Sequence, residues 1–205
     1  MKLFVTERAP GPRVAKNLAA IKQIDVEFVN IDMANKENRS DAFLKINPAG
    51  QLPCLQLDDG RVISEVTAIA EYFEELNPDP VIVGRDAFER AETRMWMRRA
   101  DIKVLSPMMV GFQHGKGAPF FEGRIPIHEE LSAPSLMMAE EGVAWFNEQL
   151  KHRQYLCGDR ATYADIVFYI FVSFLVKLAH KFDPSAVAFH DYIKRMEDHA
   201  YTQVK

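Results

Sequence analysis

Cysteine is scarce in this sequence, with only Cys54 and Cys157 present, far apart and each among apolar neighbours. That excludes a disulfide-framed secreted domain and a cysteine-rich zinc module. Thiols in such surroundings are expected to be buried and inert. Positive charge is not in excess either: 25 Lys and Arg against 29 Asp and Glu give a formal charge of −4, which offers nothing to nucleic acid or an anionic membrane surface. The most apolar stretch, IVFYIFVSFLV from Ile166 to Val176, lies between Asp165 and Lys177 and is far shorter than the roughly 20 residues a bilayer requires. Such a helix belongs in the centre of a bundle. Leu3-Phe4-Val5 is too brief for the apolar core of a signal peptide. No HxxxH or CxxC metal spacing, P-loop, GxGxxG or GxSxG occurs, so no metal is expected. These absences predict a soluble cytoplasmic protein with no nucleic-acid or membrane partner.

What is present suits a globular chain. Hydrophobic residues make up 48% and charged residues 26% of 205 positions, enough for a full core in more than one typical domain. The first part changes element type often. Lys2–Thr6 reads as a strand, and Val14, Leu18 and Ile21 then recur at helical spacing after Pro12. Glu27–Asp32 reads as a second strand, and a short helix over Asp41–Ile46 stops at Asn47-Pro48. Cys54–Leu57 and Val62-Ile63 flank the turn signal Asp58-Asp59-Gly60. Val66, Ile69, Ala70 and Phe73 line a helix face. The order β-α-β-α-β-β-α requires a parallel first pair and an antiparallel hairpin. Asn77-Pro78-Asp79-Pro80 breaks this pattern.

Beyond it only helices are expected. One runs from Asp86 to about His114, a Gly- and Pro-bearing loop covers Gly115–Pro126, and a further helix carries Leu136, Ala139, Val143, Phe146 and Leu150. Thr162–Asp165 fits a capping box in which Thr162 caps the backbone and Asp165 reaches back to the cap N–H. A last helix spans about Pro184 to Asp198. The domains are thus expected at 1–78 (α/β) and 86–205 (all-α), joined by a linker over 79–85.

Two stretches carry chemistry. In Asn47-Pro48-Ala49-Gly50-Gln51-Leu52-Pro53-Cys54-Leu55, a proline opens a strand where it cannot donate to the ladder. A cis bond at Pro53 would turn the Leu52 backbone outward, to pair with an extended peptide as though adding a strand. The bland alternative is a strand-starting proline. In Ser64-Glu65-Val66-Thr67, a helix N-terminus offers free N–H groups to a carboxylate, and Glu65 offers a partner to an ammonium. Alternatively, Ser64 is only a cap and Glu65 only an acid favoured by the dipole. Together they fit a small peptide with a free amino-acid end.

NPAGQLPCL, SEVTAIAEYFEEL and YLCGDRATYADIVFY, in this order and at these separations, resemble the glutathione S-transferase family across nearly the whole chain. The opening APGPRVAKNLAAIK is similar to the family's first helix. The resemblance implies a thioredoxin-like domain followed by a helical domain, glutathione as co-substrate, a hydrophobic electrophile as second substrate, and a homodimer, here through the helix that begins near Asp86. Two departures stand out. The family's usual activating Ser, Tyr or Cys is missing from Thr6–Pro12, where the usual serine position falls on Arg8. The usual Glu-Ser pair reads Glu65-Val66. The chain resembles a fungal and bacterial branch that lacks the usual hydroxyl or thiol.

The resemblance then implies thiolate stabilisation by the first helix N-terminus at Gly11, aided by Arg8 or His114. Glutathione would be held by Asn38, Arg39, Gln51, Leu52, Pro53, Glu65 and the Val66 amide. Met108 and Phe112 would offer apolar surface to the electrophile. Conjugation is the expected activity. Glutathione-dependent peroxide or disulfide reduction and a non-catalytic binding module are the alternatives.

Overall fold

The computed structural model describes residues 1–7, 9–178 and 180–203. Two compact units divide at Val83–Gly84. In the first, β1 (Lys2–Val5), α1 (Pro10–Ile21), β2 (Glu27–Asn30), α2 (Asp41–Ile46), β3 (Cys54–Gln56), β4 (Val62–Ser64) and α3 (Val66–Leu76) follow one another. The sheet order is β2-β1-β3-β4. β1 pairs parallel with β2, and β3 pairs antiparallel with β1 and β4. Leu3, Phe4 and Val5 are all buried because β1 has neighbours on both edges. The β-β turn is held by Asp59, which accepts from the Arg61 N–H and guanidinium.

Prolines start α1 earlier than the apolar spacing suggested: Pro10 takes the first helical position, where a missing N–H costs nothing. Ser40 caps α2 by accepting from the Phe43 N–H. Ser64 pairs with Cys54 at the end of β4, so the residue before α3 is Glu65.

A buried charge pair closes this unit. Lys22 Nζ lies 2.6 Å from Glu74 Oε2, with both side chains essentially inaccessible. Lys22 also donates to the Pro80 carbonyl, and Glu74 accepts from the Ile82 and Val83 N–H groups. Residues 79–83 of the expected linker therefore lie against the first unit, with Ile82 and Val83 wholly buried.

The second unit is helical, with α4 (Ala87–Ala100), α5 (Ser106–Gln113), α6 (Ala118–Phe121), α7 (Ser132–Leu150), α8 (Tyr163–Leu178) and α9 (Val187–Glu197). The expected single helix from Asp86 is interrupted by a π-helical turn over Asp101–Leu105. There α7 crosses backbone to backbone: a Cβ on Gly142 would come within 2.0 Å of the Lys103 carbonyl oxygen. The expected Gly- and Pro-bearing loop contains α6. Ahead of α9, Asp183 accepts from the Ser185 N–H, and this turn delays the helix to Val187.

α8 is buried on all sides from Tyr163 to Ile170, with Phe168 against Phe146, Phe189 and Tyr192. Among the described residues no helix is long and apolar enough to cross a membrane. At the start of α8, Asp165 accepts from the Leu156 and Thr162 N–H groups and from the Thr162 and Tyr192 hydroxyls. Asp165 thus fills its half of the expected box, while the Thr162 hydroxyl is turned to the carboxylate instead of the backbone. Burial pushes the Asp165 carboxyl above the usual range, against the pull of those hydrogen bonds. The same burial holds the Tyr192 phenol well above its ordinary value.

Candidate active site

Three segments of the first unit converge at the start of α1. A Cβ on Gly11 would lie 3.1 Å from Pro53 Cδ, 3.3 Å from the Leu52 carbonyl oxygen and 3.7 Å from Val66 Cγ1. The first turn of α1, the Leu52-Pro53 bend and the first residue of α3 therefore touch, and a side chain at position 11 would have to push Pro53 and the Leu52 carbonyl back by a few tenths of an ångström. The Leu52-Pro53 peptide is cis. The Leu52 side chain packs on the core formed by Phe4, Ile31, Phe43 and Cys54, which fixes the bend from beneath. Among the described residues, neither the Leu52 N–H nor its C=O takes a hydrogen bond. Both are free for a ligand.

Glu65 stands beside this bend with φ 69° and ψ 126°, a conformation that costs a side-chain-bearing residue about 1–3 kcal/mol. Its carboxylate is exposed and has no partner among the described residues. The first intrahelical bond of this stretch runs from the Ile69 N–H to the Glu65 carbonyl. The earlier amides of Val66, Thr67 and Ala68 precede it and carry the positive end of the helix dipole. A free acid and a set of free amides thus meet at one chain reversal, suited to an ammonium and a carboxylate on the same carbon.

The loop before Pro53 is braced from within. Asn47 Nδ2 donates to the Gln51 carbonyl, and its Oδ1 accepts from the Ala49 N–H. Asn38, which is buried, donates to the Gly50 carbonyl at 2.7 Å. Its amide is committed to holding the loop. Arg39 is exposed, donates to the Ala49 carbonyl at 3.1 Å and lies over Gly50, whose φ of 62° and crowded Cβ position both demand glycine. Gln51 is exposed. Asn47 and Asn38 are the loop's own scaffold, a role that the sequence signals only through the Asn-Pro step.

Thr6 ends the first strand region and is half-buried, and Ala9 precedes α1 without a capping side chain. Arg8 lies outside the described residues. Burial raises the Cys54 thiol to about 11 and raises Cys157 as well, so both stay protonated near neutral pH.

The remaining candidates belong to the helical unit. His114 ends α5, with Nδ1 accepting from the His128 N–H at 3.2 Å, which leaves Nε2 as its proton-bearing nitrogen when neutral. Phe112 is half-buried and packs edge-on against Phe121. Met108, expected to offer surface to an electrophile, is at 0% exposure and is a core residue.

The family model described as glutathione S-transferase, N-terminal domain, matches residues 13–76, and that of the C-terminal domain matches residues 129–200. Glutathione S-transferase 2 of Saccharomyces cerevisiae is 28% identical over 200 residues, covering 96% of this chain and 86% of its own. The crystal structure of Gtt2 from Saccharomyces cerevisiae superposes with a TM-score of 0.90 at 30% identity, over 98% of each chain. A glutathione S-transferase domain-containing protein from Marinobacter aquaeolei VT8 gives 0.91 at 27% identity, covering 98% of this chain and all of that one.

Proposed function

The chain belongs to the glutathione S-transferase family, and from that premise we propose that it binds glutathione on the first unit and conjugates it to hydrophobic electrophiles. The observation that carries this reading is the exposed, unpartnered Glu65 carboxylate, held at positive φ beside free helix amides and the unpaired Leu52 backbone. Glu65 takes the α-ammonium of the γ-glutamyl end, and the Val66 amide takes its carboxylate. The Leu52 N–H and C=O pair with the cysteinyl backbone against Pro53. Arg39 and Gln51 face the glycyl end from the exposed rim of the braced loop.

The thiol then falls to the start of α1. Amides at Gly11 and the dipole of a twelve-residue helix stabilise a thiolate there by up to about 2 kcal/mol. Arg8 and His114 enter the proposal on sequence grounds as further positive charge, and Phe112 as apolar surface for the electrophile. The thiolate sulfur bonds to the electrophilic carbon, and the leaving group departs with its electron pair. Within the proposal the protein is a cytoplasmic homodimer built on α4 and the π turn that follows it, where exposed Phe88, Met95 and Ile102 recur every seventh residue.

Calorimetry and thiolate absorbance with bound glutathione test this reading. Glu65→Ala is expected to lose about 1.5–3 kcal/mol of glutathione binding. Thr6→Ala is expected to leave the thiolate signal intact, and His114→Ala to lower turnover with an aryl halide moderately. Unchanged affinity in Glu65→Ala removes the proposed role of that residue. Binding without a thiolate near neutral pH replaces conjugation with a binding module.

A further inference from the structure

The chain has two tryptophans, and the helical unit places them side by side under three cations. Trp96 of α4 and Trp145 of α7 have centroids 5.9 Å apart. Arg99 Cζ stands 4.9 Å from the Trp96 centroid and 5.8 Å from that of Trp145. Arg153 Cζ lies 4.6 Å from Trp96, and Lys103 Nζ lies 4.9 Å from Trp145. All three cations are half-buried.

The ion pairs around this cluster, Arg98–Asp101 and Lys151–Glu148, leave it out. Among the described residues Arg99, Lys103 and Arg153 have no carboxylate partner, and Arg153 spends one N–H on the Leu156 carbonyl. The Trp96 Nε1–H is buried without an acceptor. The cluster is therefore short of acceptors on two separate counts. Indole faces offset part of the charge, but three like charges gathered around one indole pair still repel, and an anion would relieve them. A cation over a ring spends its charge on the π face and keeps its N–H donors for an oxygen.

The cluster is also held in place. Lys103 sits in the π-helical turn, whose carbonyl is pressed against Gly142, and such turns recur at functional sites. We propose that Arg99, Lys103 and Arg153 form a binding site for a diphosphate group, distinct from the glutathione site of the first unit. A single carboxylate would neutralise one of the three charges. A diphosphate carries enough charge, spread over enough oxygens, to answer several donors at once, and guanidinium forks match its geometry.

Because both tryptophans lie in the cluster, intrinsic indole emission reports on it alone. Titrating the full chain with inorganic pyrophosphate is expected to change that emission saturably, at least tenfold more tightly than orthophosphate and more weakly as salt rises. Arg99→Gln and Lys103→Gln should each weaken pyrophosphate about tenfold, while Lys103→Arg retains binding and Lys151→Gln, a charge control outside the cluster, changes nothing. Circular dichroism of each variant separates loss of binding from loss of fold. No saturable response to pyrophosphate, equal affinity for orthophosphate, or full binding in the folded Arg99→Gln/Lys103→Gln chain overturns the site. Glutathione affinity of the same variants is expected to stay unchanged, so this result and that of the Glu65 test are independent.

Discussion

Each unit buries a carboxylate, and the two are accommodated in opposite ways. Glu74 meets a full positive charge on Lys22 together with two backbone amides. Asp165 meets only neutral donors: two backbone amides and two hydroxyls. The first arrangement ties the end of α1, through Lys22, to α3 and to the segment up to Val83, both far along the chain from it. The second is mostly local, since Leu156 and Thr162 lie within one turn region of Asp165 and only Tyr192 comes from elsewhere. A charge pair thus serves as a long-range clasp, and a hydrogen-bonded lone charge serves as a helix start.

Glu74→Ala should be the most damaging change, because it strands an inaccessible Lys22 charge and two amides at a cost of about 3–5 kcal/mol. Denaturant midpoints of the wild type and variant check this. The double change Lys22→Met/Glu74→Leu should recover part of the loss, since no uncompensated charge then remains.

Asp165→Asn is next, at about 2–3 kcal/mol, because an amide presents one NH2 group to donors that need oxygen. Its pH dependence separates the two kinds of burial. The folded-state pKa of Asp165 is raised, so the folded chain takes up this proton first. The stability it contributes is full below the ordinary carboxylate value and is lost as pH rises through the raised one. The gap in thermal midpoint between wild type and Asp165→Asn should therefore widen on acidification from neutral toward about pH 4. A gap that narrows would mean that the four hydrogen bonds outweigh burial.

The smallest effect is expected at Asp86, which caps α4 by accepting from the Glu89 N–H but is exposed. Asp86→Ala should cost about 1 kcal/mol in the same denaturation experiment. A loss equal to that of Asp165→Asn would show that desolvation contributes little to the difference.

Much of this was legible in the sequence where the signal is local. The parallel first pair, the hairpin turn and the buried α8 follow from spacing, turn residues and an all-round apolar run. The Leu52-Pro53 bend and Glu65 stand out through their motifs. The Lys22–Glu74 pair was not legible, because nothing local marks a lysine at a helix end as inaccessible when its partner lies on α3. The positive φ of Glu65 was equally hidden, since glutamate has no preference for that conformation. Met108 shows the limit of composition: a methionine near a helix end reads alike as ligand surface or core, and only packing decides. The π turn was not legible either, because Asp101–Leu105 contains no glycine or proline to mark it.

Ending a fragment at Pro78 or at Val83 would not give the same protein. The shorter fragment keeps Lys22 and Glu74 but discards the Pro80 carbonyl and the Ile82 and Val83 amides that complete their shell. The longer one retains the whole knot and ends with the first unit at Val83. Protease sites inside 79–83 are shielded by that knot, so limited digestion should spare this stretch despite its linker-like sequence. The peptide that looks most like a hinge on paper behaves as the first unit's own hem.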